Sequence, residues 1–393
     1  MREHRLSALV RRVDAATPPG RDRAVDALRA LAILGVVGGH WLVTALVPDG
    51  GTLHTASPLS GMPWLAPISW VFQTLAVFFL VGGFVAAKGY AAARERGTGY
   101  RAWLAARLGR LFGPVAAVLA LWTAATAGLL LSGADPATVH TLVKPALSPL
   151  WFLLVYAALT AATPLVRRLN PLWPLAVVLH VDLVRFGFGG PAWLGWMNVA
   201  AGWLVPYTLG AAWARGELTR NAGRVLLVGG AAATAGLVLW AGYPASMVGV
   251  PGATVSNLDP PTLAAVAFGV AQCGLAVLLR EPLGRWLRRP AAWTAVAVVN
   301  LSAMTIFLWH QTAMMAVTAL GLPAGSPLPG LHTAPDGFGW VLARVAWLPV
   351  FGLGLAVCWS AFHTYERGGR SPASAVRGRR GGRGAAGETV RRA

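Results

Sequence analysis

One apolar stretch near the start of the chain carries three ionisable side chains, Asp26, Arg29 and His40. Such groups are costly inside a run long enough to cross a membrane, so each is a candidate for function. Arg29 and His40 are separated by the residues Ala30 to Gly39. Eleven helical steps of about 100° return them to nearly one face, about 16 Å apart along the axis. Arg29 is therefore expected at the cytosolic boundary and His40 near the bilayer midplane. Gly35, Gly38 and Gly39 lie between them, small enough for a neighbouring helix or a ligand to come close. A histidine at that depth suits proton transfer, because imidazole titrates near working pH. It also suits a plain hydrogen bond to a neighbouring helix, and the residues alone leave both roles open.

A second pair, Arg107 and Arg110, is three residues apart and shares a helix face. A guanidinium fork binds two phosphate oxygens at once, so the pair could hold a phosphorylated ligand. On the residues alone, anchoring at anionic headgroups is the better supported role. His310 and Trp151 are weaker candidates for contact with a second substrate, and both also read as packing residues. Asp182 and Arg185 are expected to pair with each other, and Arg344 to reach outward to the interface. Cys273 and Cys358 read as buried packing residues, and no cluster has the spacing of a metal site.

The elements that must position these residues are membrane helices. Of 393 residues, 56% are hydrophobic and only 12% charged, about half the charge of a soluble domain. Ten runs are long enough to span: Ala27–Val47, Pro67–Ala87, Leu111–Leu131, Leu147–Val166, Leu172–Phe188, Trp193–Ala214, Val225–Tyr243, Leu263–Leu279, Trp293–Leu320 and Trp340–Phe362. The net charge of +19 invites a nucleic-acid reading. Its distribution argues instead for positive-inside topology: the loops alternate between Arg-rich and nearly Arg-free, with the N-terminal tail and the segment after Glu366 both basic. The fold expected is an all-α integral membrane protein of about ten helices, both termini cytoplasmic, with a lipid bilayer and no nucleic acid as partner. Residues 1–25 read as a basic tail, 26–366 as the membrane domain and 367–393 as a disordered Arg/Gly-rich tail. The Arg, Ala and Gly bias points to a GC-rich bacterial genome, hence to the cytoplasmic membrane of a bacterium.

Several of these pieces form a pattern. Asp26-Ala27-Leu28-Arg29, ten residues, then His40 resembles the first helix of the membrane acyltransferase-3 family. Phe78 to Phe84, the Arg107-Leu108-Gly109-Arg110 pair, Leu150-Trp151-Phe152-Leu153, Ser302 to His310, and Tyr365-Glu366 are similar to that family's later motifs and fall in its order. Gly82 stands where the family usually has Ser. With no appended esterase-like domain in the sequence, the chain reads as a stand-alone member.

The resemblance implies acyl transfer, often of acetyl, from cytosolic acyl-coenzyme A to a hydroxyl of a glycan, lipid or secondary metabolite. The donor is a substrate, and no bound cofactor is expected. In that frame His40 is expected to act as general base and Arg29 to hold the donor or stabilise negative charge. Arg107 and Arg110 are expected to pair the donor's phosphates. His310 and Trp151 are placed on the acceptor side. The chief rival is a transporter or flippase of a lipid-linked sugar, which commonly shows broken helices and internal repeats.

Overall fold

The computed structural model describes residues 2–322 and 326–367. In chain order its helices are α1 (Arg2–Ala15), α2 (Arg23–Val43), α3 (Pro58–Gly61), α4 (Ala66–Ser69), α5 (Leu75–Glu95), α6 (Tyr100–Leu131), α7 (Pro136–Leu147) and α8 (Pro149–Val166). There follow α9 (Leu172–Asp182), α10 (Met197–Ala214), α11 (Arg220–Leu239), α12 (Leu263–Trp286), α13 (Pro290–Leu301), α14 (Ala303–Gly321) and α15 (Phe338–Arg367). Among the described residues the only sheet is a hairpin of β1 (Ala45–Asp49) and β2 (Thr52–Ala56), antiparallel, with Ala45 opposite Ala56. Eight helical runs are long and apolar enough to cross a membrane. The protein is an all-α membrane protein.

The expected spans depart from this in four instructive places. α2 ends at Val43 rather than Val47, where the chain turns into the hairpin. His40 thus sits in the last turn of its helix, toward the end opposite Arg29, and not midway along it. The second expected span is irregular up to Thr74, and α5 begins only at Leu75. The polar pair Gln73–Thr74 interrupts the apolar run there, and Thr74 Oγ1 donates to Ala32 O at 2.7 Å. α9, at 11 residues, continues through one π turn, Leu183–Gly187. The ninth expected span is two helices, α13 and α14, broken at Ser302.

Small residues allow the closest helix crossings. A Cβ on Gly83 would run into the backbone carbonyl of Tyr207, and one on Gly210 into that of Leu80, so α5 and α10 cross with backbones in contact. Gly230 and Gly274 do the same where α11 meets α12. Backbones in contact gain dispersion energy that lipid tails cannot match, which is how helices associate inside a bilayer.

Polar contacts sort the loops into two ends. At one end Arg280 pairs with Asp22 at 2.8 Å, Arg23 with Asp14 at 2.8 Å and Arg220 with Glu281 at 3.1 Å. Trp293 Nε1 donates to Thr17 Oγ1 at 2.7 Å there, docking the turn after α1 onto α13. These ion pairs border a cavity of about 450 Å³. At the other end the hairpin meets α7, with Leu53 N donating to Thr138 Oγ1 at 3.2 Å, and Trp70 Nε1 donates to Ala245 O at 2.8 Å. The first end gathers the N-terminal tail and the loops rich in arginine; the second holds loops with almost none. The Arg/Gly-rich segment 368–393 lies outside the described residues.

Candidate active site

Each end of α2 contributes one half of the site. At the arginine-rich end, Arg29 Nε donates to Asn300 Oδ1 at 2.5 Å, and its Nη2 lies 3.3 Å from Asp26 Oδ1. Asp26 is shared, since Arg21 Nε reaches its other oxygen at 2.6 Å. Asn300 in turn donates to Asp26 O at 2.7 Å. The head of Arg29 is held in place by this net, close to the break between α13 and α14.

Arg107 and Arg110 lie within the unbroken α6. The Nη2 of Arg107 donates to Val85 O at 3.0 Å, and its guanidinium stands over the Trp103 ring at 5.7 Å. Arg110 is exposed, with one donor turned back to Ala106 O at 3.1 Å. Arg107 is within electrostatic reach of both Arg110 and Arg29. Three guanidiniums therefore gather at one end without a carboxylate on Arg107 or Arg110 among the described residues. Like charges held together are favourable only when something anionic offsets them.

At the other end, the glycines of α2 let the 72–74 segment lie directly on the helix. A Cβ on Gly39 would stand 3.0 Å from Phe72 Cβ, and one on Gly35 would stand 2.5 Å from Thr74 Oγ1. His40, next in sequence to Gly39, faces a cavity of about 90 Å³. The wall is largely apolar, built by Val36, Phe72, Phe152, Phe307 and others, with polar groups from His40, Gln73, Ser148 and Trp151. Two residues of the 244–262 loop, Val248 and Leu258, also line it. The imidazole of His40 has no hydrogen-bond partner among the described residues, and its ring centroid lies 5.2 Å from that of His310 at an interplanar angle of 43°.

His310 is fully buried. Its Nδ1 donates to Phe307 O at 2.6 Å, which leaves Nε2 as the lone-pair nitrogen of the neutral ring. That Nε2 is buried and unpartnered. Trp41 Nε1 donates to His310 O at 2.9 Å, tying α14 to the last turn of α2. The structure thus joins His40, His310 and Trp151 in one place and Arg29, Arg107 and Arg110 in another. Trp151 lies on the cavity wall, whereas His310 is outside its lining and packs against the His40 ring.

Some expectations need correction. Arg344 does not reach outward. It is 1% exposed and donates to Trp41 O at 2.6 Å, Thr44 O at 2.6 Å and Gly330 O at 3.0 Å. The open carbonyls at the end of α2 attract it inward. Asp182 and Arg185 do approach, at 3.9 Å. The closer partners of Asp182 are Leu263 N at 2.7 Å, Asn198 Nδ2 at 2.9 Å and Tyr243 OH at 3.0 Å. Asn300 and Gln73 escaped the sequence reading. The signal was present: each is a lone amide inside an apolar run.

A family model described as an acyltransferase domain, that of acyltransferase-3, matches residues 22–363. No curated protein and no solved structure matches the chain. The matched stretch takes in both halves of the site, nearly every described residue and each of the membrane helices, so the chain belongs to the acyltransferase-3 family and is a membrane acyltransferase.

Proposed function

We propose that this acyltransferase moves a short acyl group, acetyl first among them, from cytosolic acyl-coenzyme A to a hydroxyl of a glycan, lipid or secondary metabolite. The observation that carries the proposal is the layout of α2. At its arginine-rich end Arg29, with Arg107 and Arg110 of α6 nearby, would meet the donor's phosphates. About 16 Å along the axis, His40 presents an uncommitted imidazole to a small, largely apolar cavity. An extended pantetheine arm bridges such a gap, which would bring the thioester beside His40. The cavity's size favours a short acyl chain.

In the reaction, His40 takes the proton from the acceptor hydroxyl as its oxygen attacks the thioester carbon. The carbon–sulfur bond then breaks, and the thiolate leaves with the proton from His40 as free coenzyme A. General base catalysis of this kind contributes about 10²–10⁴-fold in rate. His310, with Nδ1 committed to Phe307 O, packs its ring 5.2 Å from that of His40 and leaves both His40 nitrogens free for the substrate.

The rival reading, a transporter or flippase of a lipid-linked sugar, draws support from the helix breaks at Ser148 and Ser302, since such breaks mark transport sites. One experiment separates the two. Mass spectrometry of surface glycans, lipids and secreted metabolites, with and without the gene, is expected to show a product heavier by one acyl group. Cells carrying His40→Gln should lack it while holding normal amounts of protein. A product that persists in His40→Gln cells contradicts the assignment of the base, and a solute displaced across the membrane with no acylated product favours the rival.

A further inference from the structure

Collapse of a thioester passes through a tetrahedral oxyanion, and removing a proton from the acceptor does nothing to stabilise that charge. Resting on the reading of His40 as base, we propose that the side-chain amide of Gln73 is the oxyanion donor.

The argument starts from the cavity wall. Beyond His40, the polar residues that line it are Gln73, Ser148 and Trp151. The Ser148 hydroxyl is committed, donating to Pro145 O at 3.1 Å. The side-chain amide of Gln73 has no partner among the described residues, so its two N–H groups are free. An amide beside the cavity with no protein partner is available to a ligand that enters it.

The backbone of Gln73 is fixed from three sides. Its carbonyl accepts from Gln272 Nε2 of α12 at 2.5 Å, and its N–H donates to Trp70 O at 3.1 Å. Its neighbour Thr74 is bonded to Ala32 O of α2. Phe72 rests on Gly39, the residue before His40. The break that ends the expected second span thus does a specific job: it delivers an amide, on a pinned backbone, to the wall that His40 faces. A donor held in advance costs no reorganisation when charge develops, and loss of one such donor typically lowers kcat about 10²–10³-fold.

The test measures release of coenzyme A from acetyl-coenzyme A, and acylation of native membrane lipids and glycans, by purified protein returned to those membranes. Gln73→Glu keeps the shape, removes the donors and sets a carboxylate where the oxyanion forms. Gln73→Met keeps the bulk and removes all polarity. Both are expected to lose 10²–10³-fold in kcat with the KM for acetyl-coenzyme A changed by less than about 3-fold, as for an interaction made only in the transition state. Wild-type turnover in either variant overturns the proposal. So does a loss that appears in KM instead of kcat, or one confined to Trp151→Phe, which removes the other free N–H of the wall. His40→Gln, run alongside, separates the two levels of the argument. If it is inactive while Gln73→Glu is active, the base stands and the oxyanion donor falls; if it is active, the base itself falls.

Discussion

A guanidinium drawn inside a helix bundle must find acceptors for its N–H groups, and Arg344 finds backbone carbonyls. Trp41 O and Thr44 O belong to the end of α2, where helix carbonyls lack partners of their own. A cation is also favoured there by the helix dipole. Arg344→Met should strand those carbonyls at a cost of about 1–3 kcal/mol each. It is expected to lower the midpoint of thermal unfolding in detergent, with Arg344→Lys intermediate. An unchanged midpoint would mean that the residue faces lipid after all. Arg107 and Arg110 belong to another class, because their spare donors have no protein acceptor to lose. Replacing both by Ala loses the Arg107–Val85 O bond, a cost of about 1 kcal/mol in stability, while weakening use of acyl-coenzyme A. The expected loss is about 1.5–3 kcal/mol for each charge-assisted contact, read as a rise in the KM for the donor. An unchanged KM in a stable double variant would make them headgroup anchors.

At the scale of elements, the site depends on a glycine face meeting an interrupted helix. Gly35 and Gly39 admit Thr74 and Phe72, and the distances leave no slack: a Cβ on Gly35 meets both Thr74 Oγ1 at 2.5 Å and Thr74 Cγ2 at 2.8 Å. Gly35→Ala is expected to push the 72–74 segment off α2 and lower turnover. Thr74→Ala removes both clashing atoms, so Gly35→Ala/Thr74→Ala should recover part of what the first change loses. Turnover and unfolding midpoint measured for the four proteins of that cycle give the coupling directly. Additive losses would show that the two residues do not touch. The interruption at Gln73–Thr74 and the break at Ser302 were visible in the sequence only as polar residues in apolar runs. Hydropathy measures length and greasiness, and it is blind to a backbone that leaves the helix while its polar groups find tertiary partners, as Thr74 does in Ala32 and Asn300 does in Asp26.

For the whole molecule, the alternation of arginine along the chain was the most legible feature, because it reflects a rule of insertion and not of packing. The structure collects the arginine-rich loops at one end, as that rule requires. A cysteine placed in the 244–262 loop should therefore react with impermeant thiol reagent from outside intact cells, and labelling only after the membrane is opened would reverse the topology. The Arg29–His40 spacing was equally legible, since eleven residues on a helix fix both face and distance. What the spacing left undetermined was how far along the helix His40 stands, because the end of α2 is set by the hairpin and by Arg344, both products of tertiary contact. His310 and Gln73 were visible only as polar residues in apolar runs; that both would come to His40 was not, because they lie on segments far away in the chain. The account as a whole claims that the donor enters from the arginine-rich, cytosolic side. Sealed membrane vesicles of both orientations, given acetyl-coenzyme A labelled in the acetyl group, measure this directly. Inside-out vesicles, with the arginine-rich face outward, should acylate their own lipids or glycans, and right-side-out vesicles should not until they are opened. Label entering product in sealed right-side-out vesicles alone would contradict the account.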